Sequence, residues 1–488
     1  MGPRSILSFK TGSVLGVLAF ICASVGQQPG LRLSALGTNQ LLVLITNASA
    51  TTNYSLERRS LLDSSQSWAP YFRGAVGQSN FTVFSGADSA GFLRGRPGID
   101  WTSNYLAWSA PLPPLALNTF WDTYLGNFRV SEDFVRTNAQ FAATNGLLAA
   151  GWNIIWLDDG WQADTRDSSG NLQPSTNFPA GMGALTSYLH QLGFRAGIYT
   201  GFDPNTCEGY PGTDIAHVDQ DIRQFASWGF DALTVDICSP VLSTNYVREL
   251  CRVFDNAIIQ LPFTVGRTNP LIFCTSWLSP LGELPPFIPF EANMWFDGQP
   301  PMPFSSISNG MYLANYQNQT GWRSNSGPGH YADFISPSVT DTNLAAAQLC
   351  LQMILASGQH GLSFFSSGMG VTDPMSYFQY FTNAEIMALN NDPACIPGIM
   401  VASNSTLTEI WVRPLGSLTS GTNAVLLSNF SGTNVSVDVC WTNLFGTRSN
   451  SAVRPRDLQL RADLPLFTNV LSTIVPPNRV KLYRFDMQ

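Results

Sequence analysis

The chain has 488 residues, too many for one small core and enough for two or three domains. Charged residues make up only 12%, apolar residues 44%, and the formal net charge is −8. No run of five or more basic residues occurs, which argues against nucleic acid, because phosphate neutralisation needs clustered Lys and Arg.

Residues 1–26 have the make-up of an export leader. Arg4 and Lys10 precede an apolar stretch from Val14 to Val25, and small residues follow at Ser24 and Gly26, ahead of Gln27. That stretch is short for a membrane span, and no other segment reaches the roughly 18 apolar residues a span needs. The expectation is a secreted or periplasmic protein without a span once the leader is removed. Residues 27–108 alternate short apolar runs with turn residues (LRLSALG, QLLVLITN, NFTVFSG) and predict a small β module. Pro111–Pro114 (PLPP) reads as a stiff connector.

Over residues 109–393 the rhythm changes to apolar strands separated by helical stretches. Strands are predicted at 115–121, 153–159, 195–201, 232–238, 271–276, 292–297, 330–335 and 361–368. Eight such units predict an α/β fold, a (β/α)8 TIM barrel. An open doubly wound sheet is the alternative, but no G-x-G-x-x-G follows any strand. Residues 394–488 return to short β runs (LTEIWVRPL, NAVLLSNF, NVSVDVCW, RVKLYRF) and predict a C-terminal antiparallel β-sandwich.

Chemistry on such barrels sits at the C-terminal ends of the strands. There the second predicted strand ends in Asp158 and Asp159, the fourth in Asp236 and the sixth in Asp297, while the seventh carries Asp333. Any one of these acids alone also fits a helix cap or a loop brace. Their recurrence at four strand ends favours a shared site. The four histidines, at 190, 217, 330 and 360, form no metal-binding pair, and no G-x-S-x-G is present, so neither a metal nor another cofactor is expected. Paired carboxylates remain, and their commonest use on barrels is glycoside hydrolysis. Seven cysteines lie beyond Cys22 with no C-x-x-C, and seven N-x-S/T sequons occur.

Ordered motifs then carry a resemblance. LDDGWQ, RDSSGNLQP and FPAGM (157–182), LHQLGFRAGIY (189–199), TCEGYPG (206–212), FASWGFDALTVDIC (225–238), ANMW (292–295), GPGHYAD (327–333), NAEIMALNNDP (383–393) and EIWVRPL (409–415) occur in series. Together they resemble the family-27 glycoside hydrolases, which include α-galactosidases and α-N-acetylgalactosaminidases. The resemblance implies Asp236 in TVDIC as nucleophile, with Asp158 and Asp159 gripping sugar hydroxyls. It also implies substrate contacts from Trp121, Tyr199, Ser276 and Asp333, and a Cys207–Cys238 disulfide. Ser276 and Ser279 are small where the family selects the sugar's 2-substituent, as in members that accept an N-acetyl group.

The chain departs from the pattern at three places. The family's acid/base follows A-N-x-W-R, whereas here the text is ANMWFDGQPP, with Phe296 for the Arg and Pro300 five residues after Trp295; Asp297 is the nearby acid. Thr234 replaces the Lys two residues before the nucleophile, and Asp333 stands alone in ADF. The expected function is a secreted, retaining exo-glycosidase for terminal α-galactoside-like sugars, with Asp236 as nucleophile and Asp297 as acid/base. The alternatives are hydrolysis of a related sugar, such as an α-N-acetylgalactosaminide, a β-L-arabinopyranoside or an isomalto-oligosaccharide, or a carbohydrate-binding relative that has lost the acid.

Overall fold

The computed structural model describes most of residues 114–238 and 374–486, together with 271–277, 294–297, 330–332, 342–355, 358–362 and short stretches within 253–267. Before residue 98 it describes the backbone of eight strands. The chain divides into two compact units, Met1–Trp108 with Arg248–Pro270, and Ser109–Val247 with Leu271–Gln488.

The first unit holds two antiparallel sheets. One has five strands in the order Ala19–Phe20, Ile6–Lys10, Ala90–Pro97, Tyr54–Arg59, Ala69–Arg73. The other joins Gly30–Gly37, Gln40–Thr46 and Asn80–Phe84. Ile6–Lys10 and Ala19–Phe20, which fall within the stretch read as a leader, occupy one edge of the larger sheet.

In the second unit eight parallel strands close a barrel: Leu115–Asn118, Ile154–Leu157, Arg195–Gly201, Ala232–Asp236, Ile272–Trp277, Met294–Asp297, His330–Ala332 and Gly358–Leu362. The first four are buried almost throughout, as expected of parallel strands covered on both faces. The eighth starts before the predicted 361–368, of which 363–368 lie outside the described residues. It runs earlier, because Gln359 pairs with Leu115 and Tyr331 with Gly358, and its register slips between His360 and Leu362. Closure against the first and seventh strands, not the local apolar run, sets its position.

The covering helices follow ordinary rules. Glu132–Thr144 starts where the Ser131 hydroxyl accepts from the Phe134 N–H, with Glu132 and Asp133 at its positive end. Its buried face carries Val135, Ala139 and Ala142 at helical spacing. Inside the barrel, the Trp156 indole lies on Gly197. A Cβ at Gly197 would stand 2.4 Å from the Trp156 ring, which is fully buried and has nowhere to move. Gly197→Ala is therefore expected to lower stability by about 2–3 kcal/mol, read as a lower denaturant midpoint. An unchanged midpoint would show that the barrel interior repacks freely here.

Beyond residue 398 the chain forms antiparallel sheets. The largest runs Ile399–Ser405, Thr408–Pro414, Thr422–Asn429, Arg479–Asp486, Arg456–Asp457, Ala462–Asp463, and Val435–Cys440 pairs with Val470–Val475. One core joins these two sheets, with Val412, Val425, Leu427 and Phe485 from the first against Val437, Val439, Leu471 and Val475 from the second. Asn429 pins an end of it. It is fully buried, its amide donates to the Thr433 and Val475 carbonyls at 2.8 Å each, and its oxygen accepts from Ser431. The NAEIMALNNDP motif holds barrel and sheets together. Asn383 caps the helix Ala384–Asn390 and donates to the Leu458 carbonyl at 2.8 Å, while Glu385 pairs with Arg456 at 2.6 Å.

Candidate active site

The second barrel strand delivers two carboxylates to the barrel mouth. Asp158 and Asp159 follow directly on Leu157 and are 7% and 2% exposed. The next residue turns at φ +94°, a conformation that favours glycine, and Gly160 supplies it. Asp158 Oδ2 accepts from Asn118 Nδ2 at 2.6 Å and Oδ1 from the Asp159 N–H at 2.8 Å. Asp159 Oδ1 accepts from the Gly160 N–H at 3.0 Å and from Gln162 Nε2 at 3.4 Å. Its Oδ2 accepts from the Glu208 N–H at 3.0 Å, and the Thr206 side chain is a further donor to this carboxylate.

Burial dominates the electrostatics of this pair. It pushes Asp158 up to about 7, against the bonds from Asn118 and the Asp159 N–H, and the charges of Asp159 and Asp236 push the same way. Burial likewise pushes Asp159 up to about 6, against the bonds from Glu208 and Thr206. Each oxygen of both carboxylates accepts at least one hydrogen bond, and burial still disfavours their charged forms by more than those bonds favour them.

The third and fourth strands place Asp236. Tyr199, deep on the third strand, donates its hydroxyl to Asp236 Oδ2 at 2.9 Å, and the Ile237 N–H donates to Oδ1 at 2.8 Å. Burial and the surrounding carboxylates raise the Tyr199 hydroxyl well above the ordinary tyrosine value, so it stays a donor. Cys207 and Cys238 form a disulfide with Cα atoms 4.9 Å apart, and Cys207 Sγ lies 3.3 Å from Asp236 Oδ2. Disulfide sulfurs offer no thiolate, so the cluster of Cys207, Asp236 and Cys238 does not make a metal site despite its spacing. His190 and His217 are engaged elsewhere, with Asp231 at 2.6 Å and Asp214 at 2.7 Å.

Thr234 lies two residues before Asp236 and so on the same face of the strand, in register with Tyr199. Thr234 is 4% exposed, and its buried hydroxyl has no hydrogen-bond partner among the described residues. Thr275 has the same lack but is in register with Val235, on the opposite face. Thr234→Val is expected to leave stability within about 1 kcal/mol while weakening sugar binding severalfold. Thr275→Val should leave binding alone. Equal effects of the two changes on binding would remove Thr234 from the pocket.

The structure thus brings together Asp158, Asp159, Tyr199, Asp236, Cys207 and Cys238. Asp297 ends the sixth strand, its backbone in register with Trp277, and Ser276 pairs with Phe296 one step earlier. Trp121 and Asp333 lie outside the described residues. Sequence reading missed Asn118, Gln162 and Thr206. Asn118 had a signal, since it too ends a barrel strand.

A closed parallel barrel with buried carboxylates at the C-terminal ends of its strands defines the class: a TIM-barrel protein whose mouth is built for carboxylate chemistry. The family described as alpha galactosidase A matches residues 126–392, more than half of the chain, and the chain belongs to that family, among the family-27 glycoside hydrolases. An alpha-galactosidase of Oryza sativa is 25% identical over 378 residues, 76% of this chain and 84% of the relative. An alpha-N-acetylgalactosaminidase of Gallus gallus is 29% identical over 299 residues, 60% of this chain and 71% of the relative. Alpha-galactosidase I from Mortierella vinacea shares the fold, with a TM-score of 0.63 at 21% identity, covering 78% of this chain and 98% of that one.

Proposed function

We propose that the protein is a retaining exo-glycosidase acting on terminal α-galactosides or a closely related sugar. The observation that carries this reading is Asp236, a partly exposed carboxylate with both oxygens held by Tyr199 and Ile237, beside the buried pair Asp158 and Asp159. Asp236 attacks the anomeric carbon to form a covalent glycosyl-enzyme. Asp158 and Asp159 accept hydrogen bonds from sugar hydroxyls, which offset the desolvation of their charged forms. Asp297 protonates the leaving oxygen and then activates water. The Gallus and Oryza relatives carry names for two different sugars, so the glycone is fixed by assay.

Turnover of a panel of aryl glycosides tests the proposal: an α-galactoside, an α-N-acetylgalactosaminide, a β-L-arabinopyranoside and an α-glucoside. Hydrolysis of one of the first three is expected. The degenerate text around Asp297 supports a second reading, a sugar-binding relative without an acid. Binding of galactose with hydrolysis of neither aryl glycoside nor disaccharide would favour it, because an aryl leaving group needs little protonation.

Secretion completes the proposal. The two strands that fall in the leader lie at one edge of their sheet, so cleavage after residue 26 leaves Ala90–Pro97, Tyr54–Arg59 and Ala69–Arg73 paired. Among the described residues no helix is long and apolar enough to cross a membrane.

A further inference from the structure

One cation ties together three loops at the barrel mouth. Arg129 lies between the first barrel strand and the helix Glu132–Thr144. Its Nε donates to the Gly160 carbonyl at 3.0 Å, its Nη2 donates to the Gln162 carbonyl, and its Nη1 meets Asp164 Oδ1 at 2.9 Å. The guanidinium carbon stands 4.2 Å from the centroid of the Tyr210 ring. The first three contacts fall on the loop after the second strand, and the fourth falls on the loop after the third.

Both of those loops supply donors to the same carboxylate. Asp159 receives Gly160 and Gln162 from one, and Glu208 and Thr206 from the other. Tyr210 is joined to Thr206 in turn, since the Thr206 N–H donates to the Tyr210 carbonyl at 2.7 Å and the Tyr210 N–H donates to Thr206 Oγ1 at 3.1 Å. The Asp164 pair contributes little, because that carboxylate is 82% exposed. The weight falls on the two carbonyls and the ring, contacts that need a planar fork and a flat cation.

We propose that Arg129 is a positioning residue: by clasping the loop after the second strand to the loop after the third, it holds the donors that aim the Asp159 carboxylate at a bound sugar. The proposal rests on the reading of Asp159 as a sugar-binding group. If Asp159 holds the sugar equally in ground and transition states, loss of the clasp weakens binding and spares the chemical step. It also withdraws donors from the ionised carboxylate, so the acid limb of sugar binding moves to higher pH. The other titrating groups facing Asp159 are Asp158, Glu208 and Tyr199.

The test compares Arg129→Met, Arg129→Lys and Tyr210→Leu in the full chain, with galactose binding followed by calorimetry from pH 4.5 to 8. Arg129→Met is expected to weaken galactose about tenfold with kcat for the aryl glycoside changed less than about threefold. Its acid limb should rise by about half a pH unit or more. Arg129→Lys keeps the charge but not the fork, so it should recover only part of the affinity. A fall in amount of folded protein alone would move neither the limb nor the Kd of the remaining molecules. Unchanged Kd and limb in folded Arg129→Met overturn the proposal; if that variant does not fold, the same result in both Arg129→Lys and Tyr210→Leu overturns it.

Hydrogen exchange of the sugar-free variants separates this proposal from the functional reading beneath it. Amides of 158–164 and 206–210 should exchange about tenfold faster in Arg129→Met. Unchanged protection refutes the clasp. Faster exchange in a protein whose wild type binds no galactose sustains the clasp and rejects the sugar.

Discussion

Asp236→Asn is expected to cut turnover of an aryl α-galactoside by about a thousandfold or more while galactose still binds. The size follows from the role. A nucleophilic carboxylate forms the bond that the whole reaction passes through, and an amide cannot form it. The geometry is otherwise kept, because an asparagine oxygen still accepts from Tyr199 or from the Ile237 N–H. Added azide supplies a decisive arm. Restored turnover yielding the β-glycosyl azide from the α-galactoside marks the position as the nucleophile's, since azide then attacks from the face Asp236 occupied. Near-native turnover in Asp236→Asn without any such additive would remove Asp236 from the chemistry.

The second large effect is on stability. Asp158 and Asp159 titrate at about 7 and about 6 in the folded chain, against an ordinary carboxyl value of 3.8. Both values are raised, so between pH 4 and 7 the native state holds protons that the unfolded chain has released. Stability from this pair is therefore greatest at low pH and falls as pH rises through about 6 and 7. A shift of this size corresponds to on the order of 4 kcal/mol for Asp158 at neutral pH.

The ligand-free protein should accordingly lose stability between pH 5 and 7.5 more steeply than Asp158→Asn does. The quantity to compare is the difference in denaturant midpoint between the two proteins at each pH, since groups remote from Asp158 titrate alike in both and the difference reports Asp158 together with its coupling to Asp159. Parallel curves would show that Asp158 is solvated in the folded chain. The same substitution should weaken galactose about a hundredfold, because a buried acceptor for hydroxyl donors is lost. Galactose binding near pH 6 should also release protons, as hydroxyl donors favour the ionised carboxylates.

Much of this site was legible in the sequence because barrel geometry turns a strand's last residue into a position at the mouth. The all-apolar IIWL needed only its end to be found for Asp158 and Asp159 to be placed, and ALTVD did the same for Asp236. The Cys207–Cys238 bond, expected from the resemblance, is present. The donors were not legible. Asn118 and Asp158 are 40 residues apart, and Glu208 and Asp159 are 49 apart, so their contacts depend on strand order and loop path and not on local pattern. Arg129 is a lone cation in an unremarkable stretch, and its partners include backbone carbonyls, which carry no sequence signature. The eighth strand was displaced for a similar reason, since the register of a parallel strand is set by its two neighbours.

The burial of Asn429 has a consequence for how the protein is made. Asn429-Phe430-Ser431 is a glycosylation sequon, and so is Asn434-Val435-Ser436, whose asparagine is exposed in the finished fold. The transferase of a eukaryotic secretory route meets the chain while it is still unfolded, when both asparagines are open to it. A glycan on Asn434 leaves the C-terminal sheets intact. One on Asn429 takes the amide that binds Thr433 and Val475 and puts a bulky polar chain where there is no room, so that molecule cannot close its C-terminal core. In such a host, packing of the segment between Thr422–Asn429 and Val435–Cys440 races modification, and Ser431→Ala, which removes the sequon but keeps the Asn429 amide, or a bacterial host takes the race away.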